Sequence, residues 1–251
     1  MKPFFALYVK EIKANKTLFL FLLLLLVGIN IYGFIEIEDI SQQIASGEFL
    51  KLSFFILLPP FTLVLSLPFL LAHAFNAEWK SETHYQMFAL PVSQYTMILA
   101  KIAAVASKGI VGGGIVIGGL YFWVLADLPD VQIIAFDNTE VTGFLNFVFI
   151  TGLALVTYMV FILGVVTGME GVKFAVKRYR GLTAVVFFAI AVFLFFRFFN
   201  QMTTVLDFLG QISITPTPSG QIELAPFVYT ILMGVIFMVI GLVVYEKRAE
   251  I

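Results

Sequence analysis

Apolar residues in this chain run in long blocks, and polar residues are confined to short stretches between them. A helix that crosses a bilayer needs ~20 mostly apolar residues, with little charge inside the run. The windows 17–34, 52–75, 102–126, 143–168, 182–199 and 225–245 meet that requirement. They predict an all-α integral membrane protein with six transmembrane helices, forming a single transmembrane domain over 1–251. With 61% hydrophobic and 12% charged residues, the chain is far more apolar than a soluble domain, of which about a quarter is charged. Little sequence is left for a separate soluble domain, so function must lie in the bundle, in the connectors, or on another polypeptide.

Charge orients the spans. Lys2, Lys10, Lys13, Lys16, Lys80, Lys101, Lys173, Lys177, Arg178, Arg180, Lys247 and Arg248 lie at the N-terminus, in the second and fourth connectors, or in the tail. Only Lys51 and Arg197 lie toward the other side, where Glu36, Glu38, Asp39, Asp127, Asp130, Asp137 and Glu140 gather. The excess of basic residues on one side predicts a multi-pass protein with both termini in the cytoplasm. The first apolar run is full length, has acidic residues after it and lacks a small-residue cleavage site, so it reads as a retained helix. Ahead of it, residues 1–16 mix Phe4, Phe5, Leu7, Tyr8, Val9 and Ile12 with Lys10, Glu11, Lys13 and Lys16. That segment fits an amphipathic helix lying in the membrane interface, or an extension of the first span.

Within the spans the chemistry is sparse. Pro59, Pro60 and Pro68 predict a bend or break in the second span, with carbonyls that neighbouring helices or water must satisfy. Gly109 with Gly113, and Gly114 with Gly118, have the spacing that lets helices approach closely, within one subunit or across a dimer. Gly164 and Gly168 repeat that spacing. Lys108 and Arg197 are expected to snorkel to the two interfaces. The phenylalanines of the fifth span are expected against lipid and neighbouring helices. The outer loop 200–224, rich in Pro and Gly after Ile214, predicts a small folded cap. No GxxxxGK[ST], HExxH or GxSxG occurs, and cysteine is absent. An enzyme, a resident cofactor and a metal centre are therefore not expected in this chain.

The most distinctive stretch is 76–101, polar and amphipathic between two apolar runs. Helical spacing puts Trp79, Thr83, Met87 and Leu90 near one face, while Glu78 and Glu82 stand four apart, a like-charged pair that a basic surface opposite would relieve. Pro91 ends that helix, and Ser93 can cap a second one running through Tyr95 and Ile98 to Lys101. The stretch reads either as a cap joining two spans or as a docking element for a soluble partner.

The order of residues here, Glu78, Ser81, Thr83, then Ala89-Leu90-Pro91-Val92-Ser93, then Ala100-Lys101, resembles the cytoplasmic signature of ABC-2 type permeases, the membrane subunits of one class of ATP-binding cassette transporters. The motif spans about a tenth of the chain, and the order of interfacial helix, six spans, this connector and a larger loop before the last span resembles the family throughout. Glu82, His84 and Gln94 depart from the residues common in the family at those places. The resemblance implies a permease in the plasma membrane, driven by a separate cytoplasmic ABC ATPase subunit that carries the ATP and magnesium. A second permease copy, identical or related, would complete it. Glu78, Trp79, Glu82, Thr83, Met87, Leu90, Pro91 and Lys101 would couple that ATPase to the spans, and export of a hydrophobic or amphipathic peptide, lipid or drug is the implied direction. The basic connector around Lys173 to Arg180 would then be a second contact, or a solvated or lipid-facing charge run. The other reading is a non-transport membrane protein, an immunity, signalling or assembly factor docking a cytoplasmic partner through the same connector.

Overall fold

The computed structural model describes residues 2–36, 50–80, 92–125, 140–176, 179–213 and 221–248. A short helix α1 (Lys2–Ala14) precedes α2 (Lys16–Ile35), α3 (Leu50–Lys80), α4 (Gln94–Leu125), α5 (Glu140–Ala175) and α6 (Arg180–Val205). A 3-10 turn at Asp207–Leu209 and strands β1 (Gln211–Ser213) and β2 (Gln221–Glu223) lead to α7 (Ala225–Arg248). Six helices, α2 to α7, are long and apolar enough to cross a membrane, the candidate spans being Lys16–Ile35, Leu57–Ala77, Gln94–Gly119, Phe149–Lys173, Arg180–Val205 and Ala225–Lys247. The chain has the architecture of a multi-pass membrane protein. At 13 residues α1 is too short to cross.

The helices form a row. α2 packs on α3 and α4, α3 and α4 pack on each other and on α5, and α5 carries α6 and α7 on its other side. Leu22 and Leu26 of α2, Leu63, Leu67, Leu70 and Leu71 of α3, Ile98, Ile102 and Val105 of α4, Met159, Leu163 and Val166 of α5 and Leu242 of α7 make one continuous core. Each set recurs at three, four or seven residues, the spacing that keeps side chains on one helix face. The remaining faces of α2 and α6 present large apolar groups such as Phe21, Leu24, Ile31, Phe193 and Phe196 to the outside, as a hydrocarbon solvent permits.

α5 and α7 approach most closely. A methyl group on Gly234 would lie 2.7 Å from Phe161 Cα, and one on Gly241 would lie 2.7 Å from Gly168 Cα. Gly164 and Gly171 meet the backbone of Gly234 and Gly241 in the same way. Backbones this close exchange dispersion contacts along the whole seam, which is how small residues hold helices together where lipid removes the hydrophobic drive. Beside the seam, Phe187, Phe195 and Phe199 of α6 turn inward onto Phe161, Phe237 and Tyr229. Phe188, Phe193, Phe196 and Phe198 stay exposed.

The prolines do not interrupt α3, which is helical through Pro59, Pro60 and Pro68. Pro68 cannot donate to Val64 O, and the Tyr158 hydroxyl of α5 reaches that carbonyl in a long bond of 3.5 Å. At the far end from the described termini, the 3-10 turn and a two-stranded antiparallel hairpin, with Ile212 opposite Ile222, add a small β element to the helices of the described residues. Gly210 enters the hairpin at φ +78, a conformation glycine adopts without steric cost.

Candidate functional site

The polar chemistry of the described residues concentrates where α3 ends, α4 begins, α5 ends and α7 ends. Of stretch 76–101, residues 76–80 continue α3, the helix beginning at Gln94 is the first part of α4, and residues 81–91 lie outside the described residues. Ser93 starts α4, its backbone carbonyl accepting from Thr96 N at 3.0 Å and its hydroxyl meeting the Thr96 hydroxyl at 2.8 Å. Two turns on, Lys101 points into the protein at 3% exposure.

Lys101 Nζ donates to Glu11 Oε1 at 2.8 Å and to Ala74 O at 3.4 Å, and sits 6.0 Å from the Phe75 ring centroid. One ammonium thus joins α1, α3 and α4. Lys108, seven residues further on and on the same face of α4, donates to Glu11 O at 3.3 Å. That carbonyl belongs to the last turn of α1, where no amide of the helix is left to bond it and where a cation is favoured by the helix dipole. Lys108 is 3% exposed, so it does not snorkel to the membrane edge; it caps α1 instead. The Tyr8 and Ser107 hydroxyls, 2.8 Å apart, add a third link between α1 and α4. Charges this deeply buried persist because each has a partner: Glu11, at 4% exposure, takes Lys101 on its carboxylate and Lys108 on its backbone carbonyl.

The first turn of α4 is tied in another direction. The Tyr95 hydroxyl donates to Glu246 Oε2 near the end of α7. On α5, Glu170 is 2% exposed and accepts from Lys173 through Oε1. The arrangement has no set of acids, histidines or cysteines able to hold a metal among the described residues. It ties the start of α4 to α1 and α3 through Lys101 and to α7 through Tyr95.

Of the residues singled out in the sequence, Lys101 lies in this cluster. Glu78 and Trp79 fall in the last turn of α3, while Glu82, Thr83, Met87, Leu90 and Pro91 lie outside the described residues, as do Lys177 and Arg178 of the basic connector. Of the glycines, a methyl on Gly109 would come 2.8 Å from Met159 Sδ, and one on Gly113 would meet Leu155 at 3.8 Å. Gly114 and Gly118 have nothing within 4 Å of that position. Closer contacts occur at Gly112, against Leu63, and at Gly119, against Asn30. Nothing in the sequence marks the roles of Tyr8, Glu246 and Glu170, whose partners or burial depend on tertiary packing; an acid on the apolar-facing side of an amphipathic helix is the signal that marks Glu11.

Between α3, α4 and α5 an apolar cleft of about 270 Å³ opens to the side, lined by Leu63, Leu67, Gly109, Gly113, Leu155 and Met159 among others. The chain matches no protein-family profile, no characterised protein and no solved structure.

Proposed function

We propose that the chain is the membrane-spanning permease subunit of an ATP-binding cassette transporter of the ABC-2 type, residing in the plasma membrane with both termini in the cytoplasm. A separate ATPase subunit binds ATP and magnesium and drives it, and a second permease copy completes the transporter. Three features support the reading: six spans, the resemblance carried by Glu78, Leu90-Pro91 and Lys101, and the basic bias of one side. The observation that carries it is the web around α4, in which Lys101 and Tyr95, flanking the exit of the connector, are bonded to α1, α3 and α7. A connector that only joined two spans would not need its exit fastened to three other helices. In a transporter, closure of the ATPase dimer pushes on that connector, and the web distributes the push to the bundle.

The test is to purify the chain with the P-loop ATPase that copurifies with it and to measure hydrolysis and export in lipid vesicles. Glu78→Ala and the pair Leu90→Ala, Pro91→Ala should weaken assembly or leave hydrolysis running without export. Unchanged assembly, hydrolysis and export in both variants would overturn the assignment.

A further inference from the structure

We infer that Glu170 is a recognition carboxylate for the ammonium end of an amphipathic ligand, which names a cargo class for the permease reading and rests on that reading for transport, though not for binding. Glu170 lies inside the last candidate turns of a span, where an ionisable side chain is a site by default because lipid and core cannot solvate it. It is not a closed pair: Oε1 takes Lys173, and Oε2, fully buried, has no hydrogen-bond partner among the described residues. A carboxylate oxygen removed from water and left without a donor is unfavourable, so the fold holds an acceptor in readiness for a group that none of the described residues supplies.

The face that carries Glu170 says what the rest of the ligand is. Met159, Leu163, Val166 and Glu170 follow at spacings of four, three and four, so they share one side of α5. The first three belong to the core that also contains Ile98, Ile102 and Val105 of α4 and the leucines of α3, hence this side faces the place where α3 and α4 meet. At the opposite edge of that seam, one turn before Ile98, Gln94 Oε1 is a second buried acceptor without a donor. Glu170 Oε2 accepts and carries charge, which selects a donor or a cation and rejects an anion, while the Gln94 amide can turn either end to the ligand. Outward along the same seam, about 16 Å (Met159) to about 22 Å (Leu155) from Glu170 at 1.5 Å per residue, these two residues face Gly109 and Gly113 across the hydrocarbon-lined cleft. The seam therefore offers a carboxylate at one end and an apolar cleft at the other. Ile102, Val105, Leu163 and Val166 pack between them, so a ligand that joins the cleft to the carboxylate must part these side chains.

The test uses the full chain in phosphatidylcholine nanodiscs without any ATPase, with dodecylammonium and dodecanol as probes and empty nanodiscs as the partition blank. The wild-type chain should bind dodecylammonium in preference to dodecanol. Glu170→Gln, which keeps the shape and removes the charge, should reduce that preference at least tenfold, and Lys173→Met, which frees the other oxygen, should increase it. A structural Glu170–Lys173 pair would lower stability in both variants and leave the preference unchanged, and that result overturns the inference. If Glu170→Gln does not give monodisperse protein, Lys173→Met decides alone: a raised preference supports the site and an unchanged one removes it. Because no ATPase is present, the site can stand while the coupling experiment fails, and the reverse.

Discussion

Glu11 and Lys101, ninety positions apart, meet at 2.8 Å with both side chains shielded from solvent, and this pair decides how α1 sits on the bundle. Lys10 also lies 3.8 Å from the same carboxylate oxygen but is half exposed, so its attraction is screened. Glu11→Gln removes the carboxylate that Lys101 bonds and keeps the backbone carbonyl that Lys108 bonds. Removing one partner of a buried pair costs about 3–5 kcal/mol, whereas replacing both by apolar residues is often neutral. Glu11→Gln and Lys101→Met should each lower the thermal unfolding midpoint in detergent, and the double variant Glu11→Leu, Lys101→Leu should recover most of the loss.

The α5–α7 seam predicts a sharp contrast between glycines. Gly234→Ala puts a methyl 2.8 Å from Val160 O and forces the helices apart, an overpacking of about 1–3 kcal/mol. Gly114→Ala meets open space and should be neutral, or stabilising by up to about 1 kcal/mol through helix propensity. Thermal unfolding of the two variants side by side checks this.

Tyr158 and Pro68 are linked through one carbonyl. Tyr158→Phe strips Val64 O of its outside donor and should cost about 0.6 kcal/mol, the average for a bond between membrane helices. In a Pro68→Ala background residue 68 supplies its own amide to Val64 O, so the same change should cost nothing. A double-mutant cycle read by thermal unfolding measures the difference.

Tyr95→Phe and Glu246→Gln both weaken the bond between the start of α4 and the end of α7. Under the permease reading each should lower the export obtained per ATP hydrolysed, and the double variant should be no worse than either single one. Additive losses would mean that the two residues act separately.

The spans were readable because a hydrocarbon environment imposes a strong and local signature, twenty apolar residues in a row. Partners were not, since helical spacing defines a face without saying what lies opposite. Gly109 and Gly114 begin equally good small-residue pairs, yet Gly109 is pressed against Met159 and Leu67 while Gly114 looks into space. Gly164 and Gly168 carried the same spacing, and their real counterparts, Gly234 and Gly241, stand seven apart on α7 and show no such pair. Lys108 read as a residue reaching for the membrane edge because the end of α1, which it caps, is brought to it only by the fold. The web around Lys101 was half visible: the sequence marked Lys101 and left its three receivers unmarked.

The seam between α5 and α7 also sets an order of events during synthesis. α6 lies between these helices in the chain but outside them in space, and α5's bare glycine face is covered only when α7 has entered the bilayer. Until then the nascent chain displays an adhesive stripe that any other helix with small residues could occupy. Holding that face free while the ribosome completes α7 is a task for the insertion machinery, and it makes the last described helix the one on which correct assembly waits.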